Sequence, residues 1–296
     1  MKVVYSFVGK LPEYTILSIE QVRKFYSGDI YLILDDLESN VIEKIKHLNV
    51  KLISYDTVRS FKFDNINSKY GSKFNVCNWV KGRELLFMRS FERFYILEEL
   101  MKKYSLQDVL FLEIDNTIYF DPMDYITQFR QKGLSYMFDN IKHCSSGLAY
   151  IRDVDSLSDL TDFFSYWIPN SNDFVSEMGA LYDYYTNNKS KVQLLPVLWN
   201  DGKYPEMAHY NYNKFNTVFD AFAIGVYMFG LDSCHTGGKI ITGQKSKFSM
   251  IDYTNYSFQW KEDEKGRKIP FILTPSGYKR INNLHIHSKD LKSAMS

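Results

Sequence analysis

The chain has 296 residues, 45% hydrophobic and 24% charged, with a formal net charge of +1. That length allows one large α/β domain or two small ones, and the near-neutral charge leaves no broad basic footprint for nucleic acid, so any basic site must be local. Three scattered cysteines, Cys77, Cys144 and Cys234, lack CxxC spacing and speak for reduced thiols over a disulfide framework or a zinc site.

The opening segment, residues 1–8, is too short an apolar run for a signal peptide and lacks a cleavage site. No apolar stretch reaches the ~18 residues needed to span a bilayer, so a soluble, cytoplasmic protein without a transmembrane segment is expected. Strands are expected over 2–8, 29–34 and 50–54, with helices over 14–26 and 38–48 between them. Short strands separated by helical segments of this length imply a mostly parallel, helix-covered sheet. Residues 57–79 are rich in Asn, Lys and Ser and read as a long loop. The clearest helix is 84–104, with Leu85, Phe87, Met88, Phe91, Phe94, Tyr95, Leu97 and Leu100 on a wide apolar face.

That helix leads to the run Val109-Leu110-Phe111-Leu112, a buried strand, followed by Glu113-Ile114-Asp115-Asn116-Thr117. Strand alternation sends Glu113 and Asp115 to one face, at the carboxyl end of a strand, where open α/β sheets bind ligands. Two carboxylates there are costly without a cation between them, and a divalent metal carrying phosphates meets that need. Further on, a short helix over 124–131 and strands over 134–138 and 148–151 are expected, the last preceded by a Cys144-Ser145-Ser146-Gly147 loop. Helices follow over 154–167, 173–185 and 217–228, the last ending at Gly230 as a C-cap. Strands over 257–260 and 270–273 flank a charged hairpin tip, 261–268. A final strand, 280–286, places His285 and His287 on one face before Ser288 and Lys289. Imidazole is a good metal ligand when neutral, and Lys is a point charge for phosphate. Neither GxGxxG nor GxxxxGK[ST] occurs, no repeat or linker divides the chain, and one domain over 1–296 is the economical reading.

Residues 113–118 resemble the Asp-x-Asp-x-Thr of haloacid-dehalogenase-like phosphatases, but Glu stands at the nucleophile position and the motif lies in mid-chain. They also resemble the metal-binding Asp-x-Asp of GT-A nucleotide-sugar glycosyltransferases, whose first position is tolerant. Taken together, LEIDNTIYFDP (112–122), CSSGLAYI (144–151), TVFDAFAIGVYMFGLDS (217–233) and NNLHIHSK (282–289) resemble that GT-A family. The last two are similar to a bacterial and large-virus group in which an "FDaaaiGqylgG" helix precedes a terminal "LHIHSK".

The resemblance implies a GT-A, Rossmann-like nucleotide-diphospho-sugar transferase fold. A nucleotide-binding half (1–116) would be followed by an acceptor half with a metal- and phosphate-binding C-terminal segment (117–296). It implies transfer of a sugar from a nucleoside-diphosphate sugar to a hydroxyl of a glycan or other acceptor, with Mn²⁺ or Mg²⁺. Asp115 matches the metal-binding acid and Glu113 its partner; His285 or His287 matches the late His that completes the metal site, and Ser288 and Lys289 would meet the diphosphate. Val8 and Gly9 lie where the nucleotide rests, Asp35 and Asp36 match acids near the base, and Ser146 belongs to an element bordering donor and acceptor. Arg93, or Arg89 one turn before it, would bind the diphosphate. Asp173 and Glu177 are placed where a catalytic base or acceptor ligand occurs; a plain acidic helix start is the competing reading, as a solvated turn is for Asp35-Asp36. The other functional readings are a haloacid-dehalogenase-like phosphatase, a sugar nucleotidyltransferase and a non-catalytic carbohydrate-binding module.

Overall fold

The computed structural model describes residues 1–74, 85–171, 175–232, 239–275 and 277–295. It opens with β1 (Lys2–Phe7), α1 (Thr15–Phe25), β2 (Ile30–Leu34), α2 (Asn40–Ile45) and β3 (Val50–Ser54). Every residue of β2, Ile30-Tyr31-Leu32-Ile33-Leu34, is buried, as a strand covered on both faces requires. The Ser39 side chain starts α2 by accepting the Val41 N–H.

Of the loop expected over 57–79, residues 75–79 lie outside the described residues; the described part, 57–74, is instead largely α3 (Phe61–Tyr70). Its sequence has little apolar periodicity because only Phe63 and Ile66 are buried; aromatic packing of Phe63 on Phe74 and Tyr95 supplies what local pattern does not. Next come α4 (Leu86–Lys103), β4 (Val109–Leu112), β5 (Asn116–Ile118), α5 (Ile126–Phe129), β6 (Leu134–Asn140) and β7 (His143–Ile151). Cys144–Gly147 is therefore strand, not loop. Helices α6 (Val154–Asn170) and α7 (Glu177–Asn187) precede β8 (Val192–Leu195). Phe164 of α6 packs edge-on against Phe91 and Phe94 of α4, with centroids 5.0 and 5.4 Å away, fixing the helical layer on one face of the sheet.

The rest comprises α8 (Tyr212–Phe215), α9 (Ala223–Phe229), β9 (Ser257–Glu262), β10 (Lys268–Thr274), β11 (Gly277–Arg280), β12 (Asn283–His285) and α10 (Leu291–Met295). The helix expected over 217–228 begins only at Ala223, since Val218 is held in a bridge to Ile281. The single strand expected over 280–286 is split between two sheets: β11 pairs with β10, and β12 with β5. The charged hairpin tip over 261–268 is found between β9 and β10.

The main sheet runs β3-β2-β1-β4-β7-β6-β8. β3, β2, β1 and β4 are mutually parallel, β7 is antiparallel to both its neighbours, and β8 is parallel to β6. This is the mostly parallel α/β sheet expected. The carboxyl ends of β2, β1, β4, β6 and β8 thus share one rim. Strand order reverses between β1 and β4, which opens a crevice at that rim, the usual place for a ligand. No helix among the described residues is long and apolar enough to cross a membrane.

Candidate active site

β4 ends at Leu112, and the chain turns at once: the Asn116 N–H donates to the Glu113 carbonyl at 2.9 Å. Glu113 and Asp115 face one way because of this turn, not because of strand alternation. The turn is then stitched to β12. Asn116 lies opposite His285 in the β5–β12 ladder, and the Ile286 N–H donates to the Asp115 carbonyl at 2.8 Å. His285 Nε2 consequently lies 3.2 Å from Glu113 Oε2 and 3.4 Å from Asp115 Oδ2. The three side chains offer ligand atoms within 4.8 Å of one another.

The orientation of His285 is set from behind. Its Nδ1 lies 3.0 Å from the Ala221 carbonyl, which can only accept, so Nδ1 carries a proton and Nε2 is the nitrogen turned to the acids, to donate to them when protonated or to ligate a metal when not. Its backbone N–H donates to Asp220 Oδ2 at 3.0 Å. The buried Asp220 carboxylate also accepts the Ile224 and Gly225 N–H groups at 2.9 and 2.8 Å, satisfying the otherwise orphaned first turn of α9. Burial pushes Asp220 up to about 6. Gly225 is required here, because a Cβ would lie 2.0 Å from the His285 carbonyl oxygen. Gly147, on β7, is the other close approach: a Cβ there would meet Asn116 Nδ2 and His285 Nδ1 at 3.0 Å and Glu113 Oε2 at 3.2 Å.

Cations surround the acids. Arg93, 12% exposed, pairs with Glu113, donates to Ser146 Oγ at 2.8 Å and reaches Glu177 Oε1 at 3.2 Å. Lys289 pairs with Asp115 from a turn in which its own backbone is left-handed, φ 66°. Burial opposes ionisation of both acids. It is outweighed by Arg93 and His285 at Glu113, which lies below its ordinary value, and by Lys289 and His285 at Asp115, which lies well below. Burial would depress His285, but Asp115 and Glu113 raise it to about 9. Glu177 goes the other way: burial raises it, and Arg93 only partly offsets this.

A divalent metal fits this donor set. Two ionised carboxylates and one neutral-capable imidazole, already oriented by a carbonyl, suit Mn²⁺ or Mg²⁺ and leave positions for phosphate oxygens. Glu113 has both oxygens engaged, by Arg93 and His285.

The structure brings several of the expected residues to this rim and leaves others apart. Gly9, at φ 112°, follows β1, and its N–H donates to Asp35 Oδ1 at 2.8 Å, so Val8, Gly9 and Asp35 adjoin one another beside the β1–β4 crevice. Asp36 accepts the Glu38 N–H at 3.2 Å. Ser146 is buried against Arg93, and Ser288 Oγ accepts the Asp290 N–H at 3.4 Å. His287 Nδ1 accepts the Asp232 N–H at 3.3 Å, and its ring is outside the three-residue group. Arg89 pairs with Glu92. Asp173, Cys77 and Cys234 lie outside the described residues. The roles of Asp220, Ala221 and Gly225 are not evident from sequence; an acid shortly before an apolar, Gly-containing run is a helix-start signal, and Asp220 offers one.

No family model matches the chain, and no curated protein sequence matches it. Among solved structures it is similar to mouse xyloside xylosyltransferase 1 in its apo form, with a TM-score of 0.48 and 8% identity over 67% of this chain and 87% of that one. It is also similar to PaToxG glycosyltransferase (TM-score 0.38, 13% identity, 63% of this chain and 69% of that one). A further match is the glycosyltransferase GlyE of Streptococcus pneumoniae TIGR4 (TM-score 0.41, 14% identity, 72% of this chain); here the chain spans 49% of the other's length. At these scores and identities the likeness assigns no activity to this chain.

Proposed function

We propose that the chain is a metal-dependent glycosyltransferase of the GT-A type, moving a sugar from a nucleoside-diphosphate sugar to an acceptor hydroxyl of a glycan or similar molecule. The observation that carries this reading is the convergence of Glu113, Asp115 and His285 at the carboxyl end of β4, with Lys289 on Asp115. When bound, Mn²⁺ or Mg²⁺ would supply positive charge that offsets the charge building on the departing diphosphate.

The protein's own groups do the rest. Asp115 and His285 would hold the ion, with Glu113, fixed by Arg93, as the third donor. Lys289 adds a positive charge next to the same oxygen and is placed to meet the leaving diphosphate. Val8, Gly9, Asp35 and Asp36, at the ends of β1 and β2, border the space for the nucleoside, with Ser288 beside Lys289. Arg93 and Ser146 position the acids. Glu177, raised by burial, is the carboxylate offered for taking the acceptor's proton if the reaction inverts; Asp173 is the second candidate.

The direct test is release of nucleoside diphosphate from a panel of nucleotide sugars with Mn²⁺ or with a chelator. Turnover should require metal and vanish in Asp115→Asn, while circular dichroism shows that the variant still folds. Full activity of Asp115→Asn would sink the proposal.

A further inference from the structure

Away from the metal site, two segments that touch each other present apolar side chains to solvent beside lysines. The β6–β7 hairpin tip carries Ile141, 54% exposed, and the exposed Lys142. A strap over 239–250, without regular secondary structure, carries Phe248, 60% exposed, with exposed Lys245 and Lys247. The two are fixed together: Asn140 Nδ2 donates to the Phe248 carbonyl at 2.9 Å, and the Met250 N–H to the Asp139 carbonyl at 3.2 Å. Earlier in the strap, Ile240 and Ile241 are also exposed, next to the point where the Gly243 N–H donates to the Tyr227 carbonyl of α9 at 2.7 Å.

Single exposed apolar residues need no explanation, but backbone hydrogen bonds that hold Ile and Phe outward among lysines do. The charge is local, since the whole chain carries only +1. Of the acids nearby, Asp139 is buried, and Asp252 lies 3.7 Å from Lys245 and offsets that one charge, so the patch charge rests on Lys142 and Lys247. Apolar tips ringed by Lys suit an interface that is anionic outside and hydrocarbon within.

We propose that this surface docks the protein onto a membrane bearing anionic lipid. Ile141 and Phe248 enter the headgroup boundary, and Lys142 and Lys247 meet lipid phosphates. β6 ends on the same rim as β4, so docking would turn the metal site toward an acceptor held at the bilayer; that last clause rests on the proposed function, whereas the docking does not.

The test is co-sedimentation of the purified protein with phosphatidylcholine vesicles and with vesicles also containing phosphatidylglycerol, in the absence of donor and metal. Binding should require the anionic lipid and weaken with added salt. Lys142→Glu/Lys247→Glu should reduce binding more than tenfold, since one lysine near an anionic surface is worth about fivefold. Ile141→Ser/Phe248→Ser should also reduce it, with circular dichroism unchanged in both. Equal pelleting with neutral vesicles, or parent-like binding by either double variant, would overturn the proposal. So would retention on polyglutamate resin as strong as on vesicles and indifferent to the apolar pair, which would indicate an acidic protein partner. Nucleoside-diphosphate release by the same variants reads the transferase separately, so either idea can fail alone.

Discussion

At the scale of single residues, the site is decided by groups that never touch a ligand. His285 and His287 are near-equivalent in the local sequence, two apart and both next to Ile286; what distinguishes them is the Ala221 carbonyl, 64 positions away from His285, a contact no local pattern contains. Gly147 is the most sensitive position of this kind. Gly147→Ala should fold, because the nearest atoms belong to side chains at 3.0–3.2 Å, but it should displace Glu113 and His285. Calorimetric Mn²⁺ titration should show affinity lower by about 10–100-fold, the usual range when the groups orienting metal ligands are disturbed. A second residue effect concerns Asp139, whose Oδ1 is buried without a partner and which burial raises from 3.8 to about 7. The folded protein keeps a proton here that the unfolded chain has released, so this group makes stability fall as pH rises through that window. Asp139→Asn should flatten the fall by as much as about 1.4 kcal/mol per pH unit, measured by urea unfolding below and above the window; an unchanged slope would mean that Asp139 does not titrate there.

At the scale of elements, those with their own pattern were legible. The all-apolar β2 and β4 and the wide apolar face of α4 appear where their sequences place them. The elements that were not legible owe their form to distant partners. β5 has three residues and exists because β12 pairs with it; β8 is a four-residue strand completed by β6; α3 buries only two apolar residues. The Glu113–Asn116 turn is a related case: the two acids converge as expected, but by a turn that needs the Ile286 N–H to hold it. The contact between α9 and β12 shows how tightly such pairs are built. Gly225→Ala would drive a Cβ into the His285 carbonyl, a backbone group that cannot rotate away. Overpacking of this sort costs about 1–3 kcal/mol, and shifting β12 should also lower Mn²⁺ affinity; denaturant midpoint and metal titration read the two effects, and a parent-like midpoint would refute the packing argument.

At the scale of the molecule, the alternation of strands and helices in the first hundred residues made the parallel half of the sheet readable, and with it the rim on which ligands would sit. The acids after β4 and the late histidines were readable as chemistry. Their meeting was not, because it depends on the chain passing from β11 in one small sheet to β12 in another and on Asp220 tying α9 to β12. Arg93 shows the same limit: its place on α4 was evident, but its role as the cation between Glu113 and Glu177 emerges only when α4, β4 and α7 converge. The assembled rim carries the Gly9–Asp35 contact and the three-residue acid–imidazole group at the carboxyl ends of neighbouring parallel strands, which is where the proposed function puts the donor.

The measurement that tests this most directly is thermal unfolding with UDP-, GDP- and TDP-sugars, each with and without Mn²⁺, on the parent and on Asp115→Asn. A ligand that binds only the folded state raises the melting temperature. The account predicts that one nucleotide class stabilises the parent only when Mn²⁺ is present and leaves Asp115→Asn unmoved. Stabilisation that is the same without metal, or that survives in Asp115→Asn, would contradict it.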